Sequence, residues 1–419
     1  MSDPIRVLHF ADAHIGMENY GKTDPDTGLS SRVVDFLRRM DDICDYATAN
    51  DADLIVFAGD AFKTRTPNPT YQREFAHRIR DLSQVAPVVL LVGNHDVAPA
   101  RMKASSVEIY QTLAVPNVWV AGDYEVRVIP TQRGDVVVGA VPYPIRSRIL
   151  DSLPDSTAGL TIAETDQRLN AGLLGILEDM AAEADGHGDL PRLLTAHVTV
   201  TGAVVGSERN IMLGRDISLP RSHIADPRWD YVALGHIHKH QDLTAKRDDL
   251  PPAVYSGSIE RIDFGEEGDA KGFCWVELTR GRADWRFVPL AARPFVTLTE
   301  DLRDSDDPTG DVIELIAAYD LRDAVVRLLL EFTPESEARF NEAPVRDALR
   351  RSGMFALGSL NKRVEQASRA RLGVSPEGLT NFELLERYFI STDVAPERRA
   401  ALLEVAEQIM ARADAEADA

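Results

Sequence analysis

"VVLLVGNHD", residues 88–96, joins two things that ordinary loops keep apart. Its first five residues are an apolar run of strand length, and the last four are Gly93, Asn94, His95 and Asp96. A turn accounts for the glycine and the asparagine, since both tolerate the backbone angles that turns require. It does not account for the histidine and aspartate that follow. Four other runs end in the same manner. Residues 6–10 lead to Asp12 and His14 in "FADAHIG", and residues 54–58 lead to Asp60 in "FAGDAF". Residues 193–196 lead to His197 in "TAHVTV", and residues 231–234 to His236 and His238 in "LGHIHKH". Each is a short strand-like run that stops at a side chain able to bind metal or phosphate.

Between these runs the chain reads as helical, up to about residue 280. Strands flanked by helices bring their ends together at one edge of a sheet, where α/β proteins place their sites. A single histidine after a strand is more often a hydrogen-bonded structural residue. Here five of the ten histidines fall at such ends, beside Asp12, Asp60 and Asn94. Coincidence across five segments is a poor explanation, so these residues are read as one site. Imidazole, carboxylate and amide oxygen without thiolate suit manganese, iron or zinc. Asp12, His14, Asp60, Asn94, His197, His236 and His238 exceed the four to six donors that one ion takes, which implies two. Residues two apart on an extended chain point the same way, so Asp12 with His14, and His236 with His238, present paired ligands. Two ions roughly 3.5–4 Å apart suit in-line displacement at phosphorus.

Composition sets limits on this site. The 419 residues predict two or three domains, and 44% hydrophobic with 27% charged residues describes a globular chain. No apolar run reaches membrane-span length, and "MSDPIRVLHF" enters a strand without a signal-peptide pattern, so a cytoplasmic location is expected. Cys44 and Cys274 are too few for a disulfide framework and lack metal-ligand spacing. A formal charge of −21 argues against nucleic-acid binding by bulk electrostatics, and bound cations would offset part of it.

The motif order D-x-H, G-D, G-N-H-D, H and G-H-x-H resembles the calcineurin-like metallophosphoesterase superfamily. "LHFADAHIGM", "GDAFKTRTPNPTYQREF", "GSERNIMLG" and "YSGSIERIDFGEE…KGF" are similar to its SbcD-type nuclease subunits, over residues 5–290 and more faintly to about 410. The resemblance implies an α/β fold, a β-sandwich flanked by helices, with a small α+β cap domain and C-terminal helices. It implies one ion held by Asp12, His14, Asp60 and His238, and another by Asp60, Asn94, His197 and His236, with Asp60 as the bridge. Manganese is the expected ion, with iron or zinc as alternatives. His95 is then a proton donor to the leaving oxygen and not a ligand, a role that suits a group titrating near neutral pH. Asp96 reads equally as the residue that orients His95 or as a turn cap. Some family members carry a further histidine three residues after the bridging aspartate, where this chain has Lys63. His240, just past the ligand pair, reads as a supporting or surface residue.

The implied activity is that of a DNA nuclease, exonuclease and endonuclease, in an ATP-dependent complex with an SbcC-type coiled-coil ATPase. In it, hydroxide activated by two metals attacks the phosphodiester at DNA ends and hairpins, and the chain is expected as a homodimer. Lys63, Arg65, Arg101, Lys103, Arg146 and Arg148 lie in loops near the motif strands and are candidate DNA contacts. No helix-turn-helix, zinc finger or aromatic–basic platform appears, which fits reading of backbone and end shape. One alternative is a metallophosphatase or cyclic-nucleotide phosphodiesterase of the same superfamily. Another is a non-catalytic scaffold for the ATPase, which would have no use for His95.

The expected divisions are a nuclease domain at 1–290, a cap at 291–367, a linker at 368–379 and partner-binding helices at 380–412. Within the cap, residues 294–298, 325–332 and 355–364 read as strands, and 311–318 and 343–351 as helices. In the family such a cap helps admit DNA; the alternative is a stabilising appendage. Thr380 and Glu383 form a capping box ahead of an apolar face of Phe382, Leu385, Tyr388 and Phe389. Leu402, Val405, Ala406, Ile409 and Met410 make a second stripe after Pro396. Such stripes pack on their own domain or dock on a partner; in the family they grip the ATPase. The terminal "ADAEADA" reads as frayed.

Overall fold

A computed structural model describes residues 3–98, 103–146, 149, 161–206, 217–365, 379–392 and 394–417. Arg101, Arg148, most of residues 206–214 and the expected linker except Leu379 lie outside the described residues. Two compact units divide the chain. The first comprises Met1–Thr297, Leu321–Arg327 and Gly353–Ser359, and the second Leu298–Asp320, Leu328–Ser352 and Leu360–Ala419.

Fourteen described strands lie wholly within the first unit. They begin with β1 (Ile5–Phe10), β2 (Leu54–Phe57), β3 (Val88–Leu91), β4 (Val118–Ala121), β5 (Glu125–Thr131), β6 (Gly134–Val141) and β7 (Arg192–His197). They continue with β8 (Thr199–Val200), β9 (Ser218–Leu219), β10 (Tyr231–Gly235), β11 (Gln241–Asp242), β12 (Ala253–Tyr255), β13 (Gly272–Thr279) and β14 (Arg282–Pro289). One six-stranded sheet has the order β14-β13-β1-β2-β3-β4, and the other β11-β12-β10-β7-β6-β5. In the first, β1 to β4 run parallel and β13 returns antiparallel beside β1. In the second, β6, β7, β10 and β12 are parallel, with β5 and β11 antiparallel at the edges.

Alternate residues of these strands enter different apolar layers. Val7, Leu54, Val56, Val89 and Leu91 meet Val136, Val138, Leu193 and Tyr231 between the sheets. Their neighbours Leu8, Phe10, Ile55, Phe57 and Leu90 pack outward on Val33, Phe36, Phe75 and Ile79 of helices Ser31–Ala49 and Pro69–Val85. On the far side Leu194, Val232 and Leu234 pack on Leu169, Leu173, Leu177 and Met180 of helix Ile162–Asp185. Both faces of β1, β2, β3, β7 and β10 are covered, so these strands read as continuous apolar runs and not as alternating ones. The expected sandwich flanked by helices is present.

One expectation is corrected: the five motif runs do not end at a single sheet edge. β1, β2 and β3 belong to one sheet, β7 and β10 to the other. A run that is apolar on both faces carries no mark of which sheet it joins. A buried polar link crosses the interior, where His9 reaches the Tyr231 hydroxyl at 3.1 Å and the Leu234 carbonyl at 3.2 Å. Burial pushes the His9 imidazole down to about 3, so it crosses the interior as a neutral ring.

Three further strands, β15 (Phe295–Asp301), β16 (Val325–Phe332) and β17 (Ala356–Val364), form a separate sheet in that order. The second unit contains helices Pro308–Ala317, Pro334–Arg339 and Glu342–Arg351. Val312, Ile316, Leu328, Leu330, Phe332, Val345 and Leu349 are among its buried apolar residues. The six-residue helix Pro334–Arg339 escaped the sequence reading. Its capping box pairs Thr333 with Ser336, whereas the usual signal places Glu or Gln at that position. The capping box of Thr380 and Glu383 opens helix Asn381–Ser391 as expected. The last helix, Pro396–Ala417, runs into the segment read as frayed, where alanine and glutamate favour continuation.

Candidate metal centre

Four of the motif side chains sit on unusual backbone. Asp12, His14, Asp60 and His236 have φ of 54°, 41°, 62° and 95°, in the left-handed region that residues other than glycine rarely adopt. Such conformations cost about 1–3 kcal/mol each and persist where the surroundings over-determine them. Here the loops after β1 and β2 are tied together: Asp12 N donates to Gly59 O at 3.0 Å and His14 N to Asp60 O at 3.1 Å.

Gly93 has a purpose different from the one read in the sequence. Gly93 is not in the left-handed region; a Cβ there would lie 2.2 Å from Asp60 Oδ1 and 2.4 Å from Asp60 N. At Gly235 a Cβ would lie 2.1 Å from the Ala58 carbonyl oxygen, the point where β10 approaches the end of β2. Gly59 combines both demands, with φ of 99° and a Cβ position 2.3 Å from His197 Nδ1. These positions are glycine chiefly because neighbouring groups leave no room for a side chain, groups of the same sheet at Gly93 and of the opposite sheet at Gly59 and Gly235.

The strand ends converge on a buried cluster. His14 Nε2 and His238 Nε2 are 3.0 Å apart, and His14 Nε2 is 3.7 Å from Asp60 Oδ2. On the other side of Asp60, His197 Nε2 lies 3.4 Å from Oδ2 and 3.0 Å from Asn94 Oδ1. His236 Nδ1 is 2.9 Å from that same amide oxygen. Both oxygens of Asp12 accept from His236 N at 3.1 Å. Donor atoms of Asp12, His14 and His238 lie within 4.8 Å of one another, as do those of His14, Asp60 and His95, and those of Asp60, His197 and His236. Asp60 thus belongs to groups on both sides. The other ring nitrogen of His197 faces the Ala58 carbonyl at 2.7 Å, and that of His238 faces Glu266 at 2.7 Å. Each arrangement turns an Nε2 atom toward the cluster. Carboxylate, imidazole and amide donors held this way fit divalent cations.

Inside the cluster burial and neighbouring charge oppose one another. Burial opposes ionisation of Asp60, but the His197 charge and hydrogen bond, with His95 and His14, hold it well below the usual carboxylate range. Burial likewise opposes charge on His197, and Asp60 outweighs it, raising that imidazole to about 9. Burial raises Asp12 and lowers His14.

His95 is half-buried beside this cluster, its ring edge-on to His14 with centroids 5.0 Å apart. Its Nδ1 meets the Lys63 carbonyl oxygen at 2.7 Å and its backbone N donates to Asp60 Oδ1 at 2.8 Å. Asp96 does not orient it. The Asp96 carboxylate is fully buried and accepts from the backbone N–H of Asp60 at 2.8 Å, Ala61 at 3.0 Å and Gly93 at 3.1 Å. Burial and the Asp60 charge push it up to about 7, against the Gly93 and Ala61 hydrogen bonds. It ties the β2 and β3 loops together, a wider form of the turn-cap reading.

The candidate DNA contacts fare unequally. Lys63 and Arg65 lie beside the cluster, the latter donating from Nε to the Asn94 carbonyl at 3.2 Å. Lys103 is exposed, and Arg146 pairs with Asp166. His240 stacks on Phe287 with ring centroids 4.0 Å apart and meets the Tyr255 carbonyl. Sequence reasoning missed Tyr143, whose ring lies 5.8 Å from that of His236, and the buried pair Glu266 and Lys271. Glu266 and Lys271 stand within "FGEE…KGF", but nothing in the local pattern assigns them a partner.

The family profile described as Calcineurin-like phosphoesterase matches residues 5–240. The SbcD component of nuclease SbcCD from Escherichia coli (strain K12) is 30% identical over 287 residues, covering 67% of this chain and 66% of that protein. Its namesake in Rhodobacter capsulatus is 28% identical over 348 residues, 80% of this chain and 79% of its own length. The one in Bacillus subtilis is 28% identical over 299 residues, 70% and 71% respectively.

Proposed function

We propose that this chain, which belongs to the calcineurin-like phosphoesterase family, is the metal-dependent DNA nuclease component of an SbcCD-type complex. The observation that carries this reading is the convergence of five strand ends on one buried cluster of carboxylate, imidazole and amide donors, with half-buried His95 beside it. Asp12, His14, Asp60 and His238 hold one divalent ion, and Asp60, Asn94, His197 and His236 the other. Manganese is our assignment; iron and zinc accept the same donors. Bound there, the ions supply Lewis acidity that activates water and offsets charge on the phosphoryl oxygens. His95 donates a proton to the leaving 3′ or 5′ oxygen. The Lys63 carbonyl accepts from its Nδ1–H and fixes the ring, while Lys63 and Arg65 carry positive charge to the DNA backbone. The test is hydrolysis by the purified chain with Mn²⁺, using labelled duplex, single-stranded DNA and a generic phosphate ester. Cleavage of the ester with no DNA product would favour the phosphatase alternative. Metal uptake without any hydrolysis would favour the scaffold.

Partners follow from exposed apolar surface. Helix Asn381–Ser391 has no buried residue; Phe382, Leu385 and Phe389 are half-buried, and Tyr388 is exposed. Leu402, Val405 and Ile409 of the last helix are exposed as well. We assign this surface to an SbcC-type coiled-coil ATPase, in helix-against-helix contact. Ending the chain after Gly373 is expected to leave metal binding and ester hydrolysis intact while abolishing co-purification with the co-expressed ATPase. Undiminished pull-down of the ATPase by the shortened chain would sink the assignment. So would a melting temperature far below that of the full chain, which would place the helices in the fold's own core.

Residues 69–80 and 106–115 line an apolar groove of about 480 Å³, with Ile109 and Leu113 exposed at its rim. A second copy of the chain is the occupant we assign, giving a homodimer. Sedimentation of an Ile109→Glu, Leu113→Glu variant is expected to show a monomer where the wild type is dimeric. A variant that sediments as the wild type does would refute the interface. No described helix is long and apolar enough to cross a membrane, and a DNA-processing role places the complex in the cytoplasm.

A further inference from the structure

We propose that Arg65 is a phosphate clamp: it holds the backbone phosphate one nucleotide beyond the scissile bond, on the leaving-group side, and so selects polynucleotides over small phosphate esters. This deepens the reading above and rests on His95 being the proton donor to the leaving oxygen.

The loop that carries Arg65 is bound on both sides of it. Lys63 N donates to Ile15 O at 3.1 Å, and the Lys63 carbonyl meets His95 Nδ1 at 2.7 Å. Downstream, Asn68 caps helix Pro69–Val85, its side chain accepting from Thr70 N at 2.8 Å, and Pro67 and Pro69 stiffen the approach. Between these anchors the exposed Arg65 side chain donates from Nε to the Asn94 carbonyl at 3.2 Å. Asn94 is one of the assigned ligands, and His95 is the next residue. Residues 63–65 therefore lie along Asn94 and His95, on the flank of the cluster where the acid stands.

A guanidinium has five N–H donors. Arg65 uses one of them, and no carboxylate among the described residues pairs with it. On the helix that follows, Arg73, Arg78 and Arg80 each face an acid, Glu74, Asp41 and Asp81. In a chain of net charge −21, an arginine bonded only to a carbonyl leaves its charge uncompensated and four N–H for an outside anion. With the Nε edge taken, the two terminal amino groups present the parallel pair of N–H that matches two phosphate oxygens. The scissile phosphate belongs to the ions, which leaves Arg65 its neighbour. His95 marks the leaving side, so that neighbour lies on the departing strand. A nitrophenyl ester has no phosphate there and gains nothing from the contact.

The test uses the full chain with Mn²⁺ and a labelled oligothymidylate carrying one neutral methylphosphonate linkage, its products resolved nucleotide by nucleotide. In the wild type, cleavage of the bond one nucleotide to one side of the neutral linkage should slow about 10–100-fold, the effect of losing a charged hydrogen-bond partner. The bond on the other side should be cut as in the fully charged oligomer. In Arg65→Gln the two bonds should be cut alike. Arg65→Lys should restore only part of the difference, since lysine is a point charge without the fork. The comparison is internal to each digest, so weakened folding or metal uptake lowers both rates and cannot imitate the result. Equal slowing on both sides in the wild type would make Arg65 a diffuse charge, and one-sided slowing that persists in Arg65→Gln would assign the phosphate to another group. Either would overturn the inference, as would a wild type that slows on neither side. A wild-type chain that hydrolyses a nitrophenyl ester but no oligothymidylate would overturn the nuclease reading and this inference with it.

Discussion

Asp60→Asn is expected to weaken both metal positions at once. Asp60 Oδ2 lies 3.4 Å from His197 Nε2 and 3.7 Å from His14 Nε2, so one carboxylate faces both halves of the cluster. The substitution keeps the shape and an oxygen for the His95 N–H, now 2.8 Å from Oδ1, and removes only the charge. Because it alters a direct donor, each affinity should fall by more than the roughly 10–100-fold that an outer partner contributes. Nuclease activity at micromolar Mn²⁺ should disappear. Equilibrium dialysis with metal analysis gives the check. Two tightly held ions in this variant would mean that Asp60 is no bridge, and loss of one ion alone would assign it to a single position.

His95→Ala separates chemistry from metal binding. Both ions should remain, while the rate of DNA cleavage falls about 10²–10⁴-fold, the usual contribution of general acid–base catalysis. The loss should shrink for a nitrophenyl ester, whose leaving group departs without needing a proton. His95 donor atoms come within 4.8 Å of those of His14 and Asp60, so a ligand role is the competing possibility. Metal analysis distinguishes the two: an ion lost from His95→Ala would make His95 a ligand.

What was legible in the chain was the set of strand ends. Asp12, His14, Asp60, Asn94, His197, His236 and His238 each follow closely on an apolar run, so local order alone marks them. Relations across the chain were not legible. Asp96 read equally as a helper of His95 or as a local turn cap, yet it bonds to Asp60 N, 36 residues away. Lys271 reaches the carbonyl of His238 across 33 residues, with no periodicity to announce the contact. The motif glycines were attributed to turns, since turn preference is a local property. Crowding of Gly93 against Asp60 exists only once β2 and β3 lie side by side, and that of Gly235 and Gly59 against Ala58 and His197 only once two sheets are stacked. Likewise, runs buried on both faces showed that strands exist but not how they divide between sheets.

The division of the cluster between two sheets also bears on how the chain reaches its native state. Donors run from Asp12 to His238, and β1 to β3 lie in one sheet while β7 and β10 lie in the other. Parallel pairings and contacts this distant in sequence form slowly, because loop closure must precede any stabilisation from them. The metal centre is therefore expected to form late in folding and not as its nucleus. Emergence of an N-terminal fragment containing only β1 to β4 would present Asp12, His14, Asp60 and Asn94 without His197, His236 and His238. A nascent chain should thus acquire its ions only after β10 has docked, which guards against hydrolytic chemistry in a partly folded protein.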